Sequence, residues 1–145
     1  MKTILITGAS SGIGKATVEL LAKENLILVA RSKQILDDLK KKFPNCHIFP
    51  CDLTDEKQVA TISEEIASKF TVDVLVNNAG VGFPTKLDEI SIKEYDEMMN
   101  TNVKGLIFLT KPILKQMIEK KKGHIINISS LAGIQSNPVA PIYCT

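Results

Sequence analysis

The sequence has no long hydrophobic run and no excess of charge of either sign. No apolar stretch approaches the roughly 18 residues that a membrane-spanning helix needs. The 18 basic and 16 acidic residues give a net charge of +2, which is too close to balance to indicate a surface dedicated to nucleic acid or to an anionic membrane. We therefore expect a protein with no nucleic-acid partner and no membrane partner.

Cysteine and histidine are also scarce. The three cysteines, Cys46, Cys51 and Cys144, form no CxxC pair and leave one residue over, which excludes a disulfide framework and a zinc knuckle. His47 and His124 stand in no pattern of metal-ligand spacing, so no metal site is predicted. The N-terminus enters a strand pattern directly, which leaves no room for a signal peptide. These features predict a reducing, cytoplasmic location.

Short apolar runs rich in β-branched residues alternate with segments of helical period. The runs lie at residues 3–7, 26–30, 46–51, 72–76 and 124–128. Because they are continuously apolar, they are typical of strands that helices cover on both faces. The 44% hydrophobic and 23% charged composition is that of a globular protein. We predict one α/β domain, residues 1–145, with about five strands in a parallel sheet that helices cover on both faces.

Three helical segments each carry a single apolar stripe, which predicts the face that packs on the sheet. The stripes consist of Ile13, Ala16, Leu20 and Leu21; of Ile35, Leu36, Leu39 and Phe43; and of Val59, Ile62, Ile66 and Phe70.

A fourth helical segment opens with Ser91 and Glu94, the spacing of a capping box. We expect Pro112 to bend or divide this long helix, because proline lacks an N–H group and clashes with the preceding turn. The run Lys120–Lys122, followed by Gly123, predicts its C-terminus.

Three glycines follow the first strand directly, in the sequence Thr7-Gly8-Ala9-Ser10-Ser11-Gly12-Ile13-Gly14. Glycine lets a backbone turn tightly and approach a pyrophosphate, which the N–H groups and dipole of a helix start favour. A P-loop is excluded, because Ala9 replaces its first glycine and Ala16 its serine or threonine. The spacing G-x-x-x-G-x-G also differs from the G-x-G-x-x-G fingerprint. A turn that serves packing alone is the alternative.

Four motifs occur in one order along the chain. They are T-G-A-S-S-G-I-G from Thr7, N-N-A-G from Asn77, N-V-K-G from Asn102, and N-I-S-S from Asn127 with Tyr143 downstream. In these motifs the chain resembles the short-chain dehydrogenases/reductases, and the resemblance runs from Met1 to Thr145. It implies a Rossmann-type, doubly wound parallel sheet and hydride transfer between a nicotinamide cofactor and a small carbonyl or alcohol substrate. It also implies a homo-oligomer for the full-length form.

The resemblance implies that most of the glycine loop and the ends of three further strands bind the cofactor. The expected cofactor-binding residues are Gly8, Ser10, Ser11, Gly12, Ile13, Gly14, Arg31, Ser32, Asp52, Leu53, Asn78, Ala79 and Gly80. Asp52 is expected to bind the adenine, but the loop also fits a plain helix start in which Thr54 caps the third helix. The segment Asn77–Gly80 fits both a cofactor wall and a structural clamp on the sheet edge.

The charge at the end of the second strand predicts which cofactor is used. Sites that select NAD place an acidic side chain there, whereas this strand ends in Arg31 and Ser32. Arg31 is the only arginine among 18 basic residues, and a planar guanidinium binds a phosphate in a bidentate manner. We therefore predict NADP(H). An ordinary surface cation is the alternative.

The resemblance also implies three catalytic residues. Tyr143 corresponds to the tyrosine that exchanges a proton with the substrate oxygen, Ser130 to the serine that hydrogen-bonds it, and Asn102 to the asparagine whose helix distortion positions a proton-relay water. A strand-end serine, a loop tyrosine and a helix-stop asparagine are the structural alternatives.

The family places a lysine four positions after the tyrosine, and the sequence stops at Thr145. We therefore expect an N-terminal portion of a longer enzyme, with the fourth and fifth strands partly uncovered. The alternative function is that of a non-catalytic nucleotide-binding or interaction fragment.

Overall fold

A computed structural model describes all 145 residues, Met1–Thr145. Its centre is a sheet of five parallel strands in the order β3-β2-β1-β4-β5. The strands are β1 (Thr3–Thr7), β2 (Asn25–Ala30), β3 (Cys46–Pro50), β4 (Val74–Asn77) and β5 (His124–Asn127). The predicted Rossmann-type α/β fold is confirmed.

Five α-helices connect the strands and cover the sheet. They are α1 (Gly12–Leu20), α2 (Lys33–Lys42), α3 (Glu56–Lys69), α4 (Ile92–Met99) and α5 (Leu106–Glu119). A π-helical segment, Asn100–Gly105, joins α4 to α5, and 3₁₀ turns occupy Leu131–Gly133 and Ile142–Cys144. No helix combines the length and the apolar character that crossing a membrane requires.

Two apolar cores lie on opposite faces of the sheet. On one face, Leu5 and Ile27 pack with side chains of α3 and α5. On the other face, Ile4 and Ile6 pack with side chains of α1 and α2. Successive strand residues point to opposite faces of a sheet, so a strand covered on both faces must be apolar at every position. This explains the continuous apolar runs of the sequence.

The face of α1 that packs on the sheet differs from the predicted stripe. Gly14 and Val18 are buried, whereas Ile13 is 61% and Leu20 is 84% exposed. The reason is the glycine loop, since Gly14 lies directly against the carbonyl of Gly8 and this contact fixes the rotation of the helix. In the second stripe Leu36 and Leu39 are buried while Ile35 is exposed, and the third stripe packs as predicted.

The long fourth helical segment begins as predicted but is interrupted at a different place. The capping box is confirmed: the Oγ of Ser91 accepts from the N–H of Glu94, whose carboxylate accepts from the N–H of Ser91. Pro112 does not divide the helix, because it lies inside an unbroken α5. The carbonyl that Pro112 deprives of a partner belongs to Phe108, a half-exposed residue. The interruption is the π-helical segment.

Two further predictions about local structure are corrected. Asp55, not Thr54, caps α3: its Oδ1 accepts from the N–H groups of Lys57 and Gln58 at 2.9 and 3.1 Å. The fourth strand is covered on both faces, because Leu75 and Val76 are buried in the two different cores.

The edge strand β5 is less covered than the other four strands. Ile126 is 37% exposed, and Ile128, just after the strand, is 40% exposed. The prediction of uncovered apolar surface therefore holds for the fifth strand alone.

Candidate functional site

A crevice opens at the carboxyl ends of the strands, beside β1. The chain moves outward in one direction from β1 to β2 and β3, and then returns past β1 to form β4 and β5. In open α/β sheets such a reversal of strand order separates the loops that follow the two neighbouring strands, and ligands bind between them. The loops after β1 and β4 meet at this point.

The crevice holds a cleft of about 110 Å³. Eight of the predicted cofactor-binding residues line it: Gly8, Ser10, Ser11, Arg31, Asp52, Leu53, Ala79 and Gly80. The other five, Gly12, Ile13, Gly14, Ser32 and Asn78, do not line it. A larger groove of about 920 Å³ between α3 and α5 shares only Leu53 with the predicted set. It runs along the helices on one face of the sheet, so we place the candidate site in the smaller cleft.

The turn between β1 and α1 is closely packed against the loop that follows β4. Gly8 has a φ of +66°, and a Cβ there would stand 2.8 Å from the Nδ2 of Asn78. A Cβ on Gly14 would stand 2.2 Å from the carbonyl oxygen of Gly8. Only glycine fits either position, and the absence of side chains brings the backbone of the turn to the surface of the cleft.

The first turn of α1 is left without capping partners. Ser11 is the N-cap residue, but its side chain accepts no hydrogen bond from the helix, and no acidic residue lies in the first turn. The first N–H groups of a helix have no acceptor within the helix, and the helix dipole gives this end a partial positive charge. The start of α1 is therefore suited to hold an anion.

Thr7 and Asn78 fasten the loop after β4 to the end of β1. The Oγ1 of Thr7 accepts from the backbone N–H groups of Asn78 and Ala79, both at 3.0 Å. The Nδ2 of Asn78 donates to the carbonyls of Thr7 and Gly8, at 3.0 and 3.3 Å. The structural-clamp interpretation of this motif is therefore confirmed, while Ala79 and Gly80 also face the cleft.

Arg31 extends from the end of β2 towards α4. Its Nη1 lies 3.6 Å from the Oε1 of Glu97, with 62% of the arginine side chain and 31% of the glutamate side chain exposed. Ser32 serves as the N-cap of α2, where its Oγ accepts from the N–H of Ile35. The cation predicted for this strand end is therefore present and already faces a carboxylate.

Asp52 holds the loop after β3 in shape. Its Oδ1 accepts from both the N–H and the hydroxyl of Thr54 at 2.9 Å, which leaves Oδ2 without a partner in the chain. Burial and the nearby negative charges of Asp52 and Asp55 raise the pKa of the adjoining Cys51 thiol to about 12. That thiol stays protonated at neutral pH, so Cys51 is a wall residue of the cleft and a poor nucleophile.

Asn102 lies in the π-helical segment and binds the loop after β4. Its Oδ1 accepts from the N–H of Val81 at 2.8 Å, and its Nδ2 donates to the carbonyl of Val81 at 2.7 Å. Both polar groups of the side chain are thus committed to one backbone position. The helix distortion that the resemblance implied is present at this asparagine.

Tyr143 lies against the same loop, one residue further on. The position of a Cβ on Gly82 would be 2.8 Å from the Cδ2 of the tyrosine ring, so the ring rests directly on the glycine backbone. Ser130 follows β5, the strand beside β4, and its Oγ accepts from the N–H of Ala132 at 3.2 Å. The two 3₁₀ turns that follow Ser130 and contain Tyr143 pack against each other. Asn102 and Tyr143 thus contact adjacent residues, Val81 and Gly82, of the loop after β4.

Several residues at the site were missed by sequence reasoning. Five of them line the cleft: Val29, Ala30, Cys51, Val81 and Thr101. Two others contact predicted residues, namely Glu97 beside Arg31 and Gly82 beneath Tyr143. The strand-end positions follow from the rule that ligands bind at the carboxyl edge. Glu97 had no such signal, because its contact with Arg31 joins α4 to the end of β2.

Comparison with known proteins matches the whole chain to one family. A family model described as short chain dehydrogenase matches residues 2–145. A 3-oxoacyl-acyl-carrier-protein reductase of Thermotoga maritima is 38% identical over 144 residues, which cover 94% of this chain and 58% of the relative. An NADP-dependent 3-hydroxy acid dehydrogenase of Schizosaccharomyces pombe is 37% identical over 154 residues, which cover 99% of this chain and 60% of the relative.

Solved structures give the same result. A short-chain dehydrogenase from Sphingobium yanoikuyae in complex with NADPH superimposes with a TM-score of 0.93 at 28% identity, covering 99% of this chain and 59% of that one. The chain therefore spans about three fifths of the length of these known proteins.

Proposed function

The chain belongs to the short-chain dehydrogenase family of oxidoreductases, and from that membership we propose that it uses NADP(H) to reduce a small carbonyl compound or to oxidise the corresponding alcohol. Residues 1–145 form its dinucleotide-binding domain in this proposal. The observation that carries the cofactor assignment is Arg31, a cation at the end of β2 on the wall of the cleft, where an NAD-selective site has an acid.

The residues that line the cleft and their neighbours in the same loops fit a dinucleotide. The side-chain-free surface of Gly8 and the uncapped start of α1 suit a pyrophosphate, which Ser10, Ser11, Gly12, Ile13 and Gly14 would hold. Arg31 and Ser32 would hold the 2'-phosphate, Asp52 and Leu53 the adenine, and Asn78, Ala79 and Gly80 the adenosine ribose. When bound, the nicotinamide supplies or accepts the hydride.

Two of the known proteins are described with the phosphorylated cofactor. The Schizosaccharomyces pombe relative is described as NADP-dependent, and the Sphingobium yanoikuyae structure contains NADPH. Both are similar to this chain over nearly all of its length, which supports the assignment that Arg31 suggests.

Three residues carry out the proton chemistry in this proposal. The hydroxyl of Tyr143 gives a proton to the substrate oxygen during reduction or removes it during oxidation, and the hydroxyl of Ser130 hydrogen-bonds the same oxygen. Asn102 acts differently, because its side chain is occupied by Val81. It contributes through the distorted backbone around it, which in the family positions a proton-relay water.

The cofactor assignment is tested by titrating the protein with NADPH and NADH and following the fluorescence of the reduced nicotinamide. We expect NADPH to bind more tightly, and the variant Arg31→Asp to move the ratio of the two affinities towards NADH by at least about tenfold, since hydrogen bonds to charged groups contribute about 1.5–3 kcal/mol. The control Lys23→Asp reverses a charge just before β2, at the amino ends of the strands and away from the cleft. An unchanged ratio in Arg31→Asp would overturn the assignment.

Catalysis is tested by following NADPH oxidation with a panel of aldehydes and ketones. Turnover that is lost in Tyr143→Phe, while NADPH binding is retained, would support the proposed role of the hydroxyl. Binding of NADPH without turnover of any carbonyl compound would favour the non-catalytic nucleotide-binding function instead.

A further inference from the structure

Arg31 reaches the cleft with a carboxylate beside it. The distance of 3.6 Å between its Nη1 and the Oε1 of Glu97 lies beyond the usual 2.7–3.2 Å of an N–H···O hydrogen bond. The pair is therefore an electrostatic contact without a tight hydrogen bond, and the guanidinium keeps its donors free. Arg31 lies within ion-pair distance of no other carboxylate.

Glu97 belongs to α4, an element that sequence reasoning did not connect with the end of β2. Its carboxylate lies beside the cleft, because it is 3.6 Å from Arg31, a residue of the cleft wall. No side chain other than Arg31 pairs with it. The cation proposed to bind the 2'-phosphate is therefore partly neutralised before any nucleotide arrives.

From this arrangement we infer that Glu97 sets how strongly the protein distinguishes 2'-phosphorylated from unphosphorylated nucleotides, by competing with the phosphate for Arg31. The inference rests on the proposed function, because it assumes that Arg31 is the phosphate ligand. A phosphate bound by Arg31 would stand close to the Glu97 carboxylate and be repelled by it. An unphosphorylated ribose would be little affected.

Two nucleotides isolate this effect, because adenosine 2',5'-bisphosphate and adenosine 5'-monophosphate differ only in the 2'-phosphate. Affinities are measured by isothermal titration calorimetry on the wild type and on Glu97→Gln, which keeps the shape of the side chain and removes its charge. We expect Glu97→Gln to bind the bisphosphate about two- to fivefold more tightly, the range of a partly exposed ion pair. The monophosphate should bind equally well to both proteins.

A matched control and a second variant separate this role from a structural one. Glu89→Gln removes a carboxylate paired with Lys86 at 3.8 Å, away from the cleft, and should change neither affinity. In an Arg31→Ala background most of the gain from Glu97→Gln should vanish, because the competition needs the guanidinium. The gain should also shrink from about 0.05 M to about 1 M salt, as screening weakens exposed charges.

The outcomes distinguish the inference from the function on which it rests. If the wild type prefers the bisphosphate but Glu97→Gln binds it no more tightly, or if the full gain persists without Arg31, the inference is overturned and the proposed function stands. If the wild type binds neither nucleotide, or binds both equally well with and without Arg31, both are overturned.

Discussion

Thr7 offers the sharpest test of how the cleft is held together. Its side chain is 3% exposed, and its hydroxyl oxygen is the shared acceptor for two consecutive backbone N–H groups of the loop after β4. Thr7→Val replaces that hydroxyl by a methyl group of nearly the same size. The two amides then lose their acceptor without any change in volume.

The expected loss of stability follows from the two backbone N–H groups that are left without an acceptor. A buried donor left without a partner costs about 1–3 kcal/mol, and the added methyl group returns about 0.8 kcal/mol. Because both amides are only half-buried, the cost lies in the lower part of the resulting range, and we expect Thr7→Val to lower the free energy of unfolding by about 1.5–3 kcal/mol. Thr7→Ser keeps the hydroxyl and loses one methyl group, so its cost should be about 1 kcal/mol.

The assay is urea unfolding followed by far-ultraviolet circular dichroism on the wild type and both variants. With a slope of about 2 kcal/mol per molar urea, the midpoint of Thr7→Val should fall by about 0.8–1.5 M, and that of Thr7→Ser by about half a molar. If Thr7→Val were as stable as Thr7→Ser, the hydrogen bonds to the Thr7 hydroxyl would not stabilise this loop, and the explanation would be refuted.

Two further perturbations test the glycine turn and a helix cap. Gly14→Ala places a Cβ 2.2 Å from a carbonyl oxygen of the turn, so it should destabilise the fold and weaken NADPH binding. Both losses should exceed those of Gly12→Ala, whose Cβ meets no atom within 4 Å but whose φ of +49° is strained. Equal losses in urea midpoint and NADPH affinity would refute this explanation of Gly14. Hydrogen bonds from the backbone N–H of Gln58 and, to a smaller extent, from its side chain hold the pKa of the Asp55 carboxyl below the ordinary 3.8. Asp55 therefore stabilises the fold above pH 3.8, and this contribution is lost as the pH falls through the lower pKa of the folded state. Asp55→Ser keeps a capping oxygen that does not titrate, so its urea midpoint should fall less steeply than that of the wild type below pH 4, and parallel pH profiles would contradict the assignment.

The positions of the strands in the sequence were predictable, because a strand that is buried on both faces is a continuous apolar run. Every strand was located to within two residues at each end, and the capping box at Ser91 was visible in the spacing alone. The rotation of a helix about its own axis was harder to predict. The stripe of α1 was misplaced because its rotation is set by the contact of Gly14 with the carbonyl of Gly8, a contact between two glycines that no apolar period records.

The interruption of the long helical segment was also misplaced, and for a similar reason. Pro112 is the conspicuous helix breaker in the sequence, yet α5 continues through it, and the carbonyl left without its N–H partner belongs to the half-exposed Phe108. The distortion occurs instead where Asn102 turns both ends of its amide towards Val81. A hydrogen-bonding partner 21 residues away leaves no mark in the local sequence.

The sequence by itself determined the doubly wound sheet, the glycine turn at its first strand and the single arginine at the end of its second, because apolar periodicity, backbone freedom and charge are properties of residue types. Tertiary structure decided which of the candidate residues face the cleft and which partners they meet. Glu97 meets Arg31, Gly82 supports Tyr143, and Thr7 fastens the loop after β4, because strand order and helix rotation bring distant segments together. Such encounters depend on the packed arrangement of the whole chain, and local spacing does not encode them.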